Sequence, residues 1–169
     1  MANEEKGILN RQTINYPVTV SSDDSIPQTL IVVIGESLTR HHMSLYGYER
    51  NTNRLLSSVE NLHVYKDVVS PQVHTIPVIR SVFTLSEKNH PEYFTQKPSL
   101  FEVFNRAGFE TFFISNQPFG GKFKTSYDVV LNLAQNKYSL SQEKKNDEVV
   151  LGKLNEILSK NDNKNKLIV

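Results

Sequence analysis

The chain has 169 residues, 38% of them apolar and 22% charged, with 19 basic against 18 acidic side chains and a formal net charge of +1. That is enough apolar material for the core of an ordinary soluble domain, and too balanced a charge for the single-sign field with which nucleic-acid binders gather phosphates. Cysteine is absent, which excludes disulfides and thiolate metal sites and leaves oxygen and imidazole as the donors for any metal.

No apolar run reaches the roughly 18 to 20 residues that cross a bilayer, and the opening Met1 to Lys6 has no signal-peptide core. Residues 1–27 read as a polar lead-in or linker without targeting information, so the sequence is expected to be a piece of a longer protein. Residues 28–169 are expected to form one α/β unit.

Thr29 to Ile34 is a continuous, mostly β-branched run, predicting a strand buried on both faces as in a helix-covered parallel sheet. A short helix is expected over Ser37 to Tyr46, a polar turn over Arg50 to Asn53, and a second strand over His63 to Val69. Pro71 ends that strand, and Ile76 to Leu85 has helical spacing with Pro77 in the first turn, where a missing N–H costs nothing.

Ser99 with Glu102 forms a capping box for a helix over Leu100 to Ala107, closed by Gly108. Thr111 to Ile114 reads as a third strand, Asp147 to Leu158 as an amphipathic helix, and Leu167 to Val169 as a last strand left as an unpaired sheet edge. Strands alternating with helices indicate α/β architecture with a mostly parallel sheet.

Ligands of open α/β sheets gather beyond the carboxyl ends of the strands, and three polar residues fall after strands or turns. Glu36 directly follows the first strand, either as a working carboxylate or as an acid favoured by a helix dipole. Thr75 opens a helix, whose N-terminus would stabilise an alkoxide or a bound phosphate; an ordinary N-cap is the alternative. Asn116 follows the third strand and can donate its amide to an anion, or simply make a turn. The histidines His41, His42, His63, His74 and His90 have no i, i+4 ligand spacing, and only His74 adjoins a candidate.

The run Ile34-Gly35-Glu36-Ser37-Leu38-Thr39-Arg40-His41-His42-Met43-Ser44-Leu45-Tyr46-Gly47-Tyr48, followed by Arg50 and Thr52, resembles the opening motif of bacterial phosphoethanolamine transferases. Ser70 to Pro77 is similar to that family's nucleophile segment, Ala107 to Gln117 to the strand leading to a substrate-side asparagine, and Asp147 to Leu151 to a later helix start. Arg54 stands where a proline is expected, and many relatives carry disulfides that this chain lacks.

The resemblance implies the N-terminal half of an alkaline phosphatase/sulfatase-like α/β fold, with Glu36 and Thr75 as metal ligands, Thr75 as nucleophile and Asn116 on the phosphoryl group. It implies zinc, with the remaining ligands outside this chain. Phosphoethanolamine would pass from phosphatidylethanolamine through a phosphothreonine to lipid A or a lipooligosaccharide, at the periplasmic face of an inner membrane reached by absent N-terminal helices. The fragment alone is expected to be inactive and to self-associate through an exposed sheet edge.

A sulfatase in the strict sense is disfavoured. Its formylglycine comes from a cysteine or serine in a Cys/Ser-x-Pro-x-Arg context, whereas here Thr75 leads and Arg80 is displaced by one residue. A phosphodiesterase or phosphoglycerol transferase would use Thr75 and Glu36 equally well, and a non-catalytic module keeping half the fold stands as the alternative from another class.

Overall fold

The computed structural model describes residue 19 and residues 26–35, 38–118, 126–141, 146–160 and 162–169. The chain divides into two units, Met1–Val33 with Pro71–Val169, and Ile34–Ser70.

The larger unit is built on a four-stranded sheet of order β1-β4-β2-β3, from β1 (Thr29–Ile31), β2 (Glu110–Ser115), β3 (Asn136–Ser139) and β4 (Lys166–Ile168). Every pairing is parallel: Leu30 aligns with Leu167, Thr111 also aligns with Leu167 from the other side, and Phe113 aligns with Lys137. Among the described residues five helices accompany it: α1 (Thr75–Phe83), α2 (Tyr93–Gln96), α3 (Leu100–Arg106), α4 (Ser126–Leu131) and α5 (Glu148–Leu158). The expected parallel α/β architecture is therefore what forms.

Its core has two parts. Phe83, Phe94, Phe101, Val130, Leu131, Ala134 and Leu167 bury one side, with Phe83 stacked on Phe101 at a centroid distance of 5.5 Å. On the other side Phe112, Ile114 and Ile168 meet Ile157, with Val150 and Leu154 of α5 packed against them. The apolar positions of α5 recur at helical spacing because one stripe must face the sheet. The capping box forms as expected: Ser99 Oγ accepts from Glu102 N at 3.3 Å and Glu102 Oε2 accepts from Ser99 N at 2.7 Å. Gly108 closes α3 at φ 80, a left-handed conformation that costs a residue with a side chain about 1–2 kcal/mol.

Four expectations fail. The first strand is only three residues long and all three are exposed, because β1 ends the sheet among the described residues. Of the helix expected over Ser37 to Tyr46, the described residues make no α-helix but two 3-10 turns, Arg40–His42 and Ser44–Tyr46. His63 to Val69 is irregular, with Tyr65, Val68 and Val69 64–84% exposed and no strand paired to it among the described residues. The last strand is no edge, since β4 lies between β1 and β2. Conversely, β3, α2 and α4 form without an expected signal, as short elements whose apolar residues are too few to show a period.

The smaller unit is held by a polar clasp. Thr52 Oγ1 accepts from Ser44 N at 3.0 Å and donates to His42 O at 2.8 Å, while Ser44 Oγ accepts from Asn53 N at 3.1 Å. Arg40 donates to Lys66 O at 2.8 Å and lies 5.2 Å from the Tyr46 ring centre. Gly47, at φ 95, ends the second 3-10 turn.

Candidate functional site

Because the whole sheet is parallel, the carboxyl ends of β2, β3 and β4 share one edge of the larger unit. Asn116 lies there, immediately after β2, in a turn tied by Ser115: its Oγ donates to Gln117 O at 2.9 Å and accepts from Gln117 N at 3.0 Å. Asn116 Nδ2 donates to Asp147 Oδ1 at 2.9 Å, a contact spanning 31 residues of sequence. Asp147 directly precedes α5, yet its side chain makes no capping bond to that helix. Sequence reasoning missed this partner. Its signal was an aspartate at a helix start, which looks the same whether it caps its own helix or reaches elsewhere.

Thr75 is exposed and is the first residue of α1, not its cap; the cap position belongs to His74, with extended backbone and no side-chain capping bond. The first-turn amides of a helix point outward without intrahelical partners and carry the positive end of the dipole. Pro77, the third helical residue, contributes no N–H to that end. The helix itself is anchored further on, where Ile79 packs against the core, Phe83 enters it, and the Arg80 guanidinium lies 3.9 Å from the centre of the Phe94 ring. One turn beyond Thr75 the position that a formylglycine motif gives to arginine holds the half-buried Ile79, which agrees with setting that chemistry aside.

Glu36, the expected first metal ligand, lies outside the described residues, as does Ser37. Among the described residues no group of three or more His, Cys, Asp or Glu is arranged to hold a metal ion, so these residues do not build a zinc site on their own. Two of the histidines have local partners: His90 bonds Glu92 at 3.0 Å and stacks on Tyr93, and His42 lies 5.3 Å from Tyr48. A backbone hydrogen bond, then the bond to His90, holds the Glu92 carboxyl below the usual carboxylate range. Much of the motif that follows Glu36 is structural, since Arg40, Ser44, Tyr46, Gly47 and Thr52 make the clasp of the smaller unit. No helix of the described residues is long and apolar enough to cross a membrane.

Against known proteins, the model of the sulfatase family matches residues 28–169. Phosphoethanolamine transferase EptC of Escherichia coli (strain K12) is 32% identical over 143 residues, which cover 81% of this chain and 25% of that protein. Phosphoethanolamine transferase CptA of Salmonella typhimurium is 36% identical over 116 residues, covering 65% of this chain and 20% of that one. The crystal structure of the C-terminal periplasmic domain of E. coli EptC in complex with Zn superposes with a TM-score of 0.78 at 31% identity. That match covers 88% of this chain and 44% of the domain, so the chain spans less than half of the solved domain and about a quarter of the full relatives.

Proposed function

The chain belongs to the sulfatase family, and from that premise we propose that it is the nucleophile-bearing part of the catalytic domain of a phosphoethanolamine transferase. The observation that carries this reading is Thr75, an exposed residue that opens α1, within a chain similar to two named phosphoethanolamine transferases. Thr75 Oγ1 attacks the phosphorus of phosphatidylethanolamine and forms a new P–O bond. The bond to the diacylglycerol oxygen breaks, and that oxygen takes up the proton the threonine loses. An oxygen of a lipid A or lipooligosaccharide acceptor then attacks the phosphorus, the bond to Thr75 Oγ1 breaks, and the proton the acceptor loses restores the threonine hydroxyl. The outward amides of the first turn favour the anionic phosphoryl group beside Thr75, and Asn116 offers an amide to the same group.

Glu36 and Thr75 Oγ1 would be two oxygen ligands of a zinc ion, whose remaining donors come from polypeptide outside this sequence. The zinc reported with the similar EptC domain supports this choice. When bound, such an ion makes a hydroxyl nucleophilic near neutral pH and polarises the phosphoryl oxygen. With about four ligands normally needed, the 169-residue chain alone is inactive. In the complete protein the reaction would occur at the periplasmic face of the inner membrane, as the periplasmic origin of that domain suggests.

The test is the intact mass of the complete protein after incubation with phosphatidylethanolamine, with Thr75→Ala as control. A phosphoethanolamine adduct on the wild type and none on the variant is the expected result. Zinc binding without an adduct would replace transfer by hydrolysis or a different donor, and neither zinc nor adduct would leave a non-catalytic module as the reading.

A further inference from the structure

We infer that Asp147 is a positioning residue that sets the orientation of the Asn116 amide for the group being transferred. The inference rests on the proposed role of Asn116 at the phosphoryl group. Asp147 has helical backbone at φ -61, ψ -9, and makes no capping bond to α5. Its carboxylate reaches Asn116 Nδ2 at 2.9 Å, across 31 residues of sequence. An ionised carboxylate only accepts, so the nitrogen of the amide must face it. One amide hydrogen is thereby committed to Asp147, and the directions of the second hydrogen and of Oδ1 follow from the planarity of the group. A charged acceptor makes this a stronger bond than a neutral one.

Both partners are held from behind. Asn116 follows β2, which has a strand on each side, and its turn is tied by the two Ser115 bonds. Asp147 opens α5, whose Val150, Leu154 and Ile157 pack on Phe112 and Ile114 of β2. A hydrogen bond between two packed elements keeps an orientation that a turn asparagine would lose to rotation about its own side-chain bonds.

Asp147→Ser separates this role from a structural one, because Asp147 makes no capping bond to be lost and serine is too short to keep the bond to Asn116. In the complete protein, the rate of adduct formation on Thr75 at saturating phosphatidylethanolamine is measured for D147S, N116A and the double variant, alongside the thermal midpoint. Loss of one donor to a developing charge costs on the order of 10²-fold, so N116A should slow by about that factor. D147S should slow by roughly 10-fold, as second partners of reacting groups do, with an unchanged thermal midpoint. The double variant should be no slower than N116A. A wild-type rate for D147S, or multiplicative losses in the double variant, overturns the inference while leaving Thr75 chemistry intact. A wild-type rate for N116A overturns the reading of Asn116 and the inference with it.

Discussion

The strands β1 and β4 contain the same Leu-Ile pair, aligned in register as Leu30 with Leu167 and Ile31 with Ile168. In β4 these side chains are 1% and 2% exposed, in β1 42% and 46%. Residue type, strand propensity and sheet membership are shared, so the difference comes from position in the sheet and from what covers its faces. β4 has strands on both sides and helices over its faces, whereas β1 ends the sheet among the described residues. An apolar strand run therefore states a demand for burial without stating what meets it.

Truncating each member of the aligned pair should have the largest effect. Leu167→Ala should cost the 169-residue chain about 2–5 kcal/mol, the range for a buried leucine. Leu30→Ala should cost about 1 kcal/mol or less, as a partly exposed site does. Urea unfolding measures both, and equal losses would mean that β1 is as buried in solution as β4.

The next test concerns the outer side of β1. Gln28 O accepts from Lys166 N and Val32 N donates to Ile168 O, so the even residues face β4 and the backbone groups of Thr29, Ile31 and Val33 turn the other way. The run from 29 to 34 is uncharged and free of proline, which is the makeup of an edge that pairs with another chain. We expect the isolated chain to self-associate through this edge, so that its sedimentation mass rises with concentration, and Ile31→Lys to abolish the rise. A strictly monomeric wild type at high concentration would remove β1 as an association edge.

The smallest effect sharpens the contrast at the start of β4, where Lys166 is 5% exposed and its ammonium is met by Asp162 and the Lys160 carbonyl. The hydrogen bond from Lys166 lowers the Asp162 pKa below the ordinary aspartate value. A depressed folded pKa contributes stability that is present above the unfolded value, near pH 4, and is lost as pH falls through the lower folded value. Asp162→Asn should therefore lower stability at pH 7 and flatten its decline below about pH 4, as followed by thermal unfolding across pH. An unchanged acid profile would show that the pair contributes nothing to it.

Elements whose signals lie within a few residues were readable in advance. Ser99, Glu102 and Gly108 bracket α3 by local hydrogen bonds and one backbone conformation, and β2 and α5 carry enough apolar residues to show their period. The strand β3 was not readable, because Asn136 to Ser139 has alternating half-burial with a largely polar sequence and takes its geometry from β2 beside it. The expected helix after Glu36 became 3-10 turns because Ser44 and Thr52 side chains bond to the backbone and compete with helical bonds. Thr75 was legible as a helix start through Pro77, while the partner of Asn116 lies 31 residues away and was not.

The parallel α/β class, the caps of α3, the start of α1 at Thr75 and the family were all written in the chain, since each depends on local spacing or on strings of residues with particular side chains. Long-range packing set β4 inside the sheet and β1 at its end among the described residues, made the Ser44 and Thr52 hydroxyls clasp the smaller unit, and brought Asp147 to Asn116. Those outcomes depend on which distant segments come together, and strand order and a hydrogen bond across 31 residues leave no periodic trace in the chain.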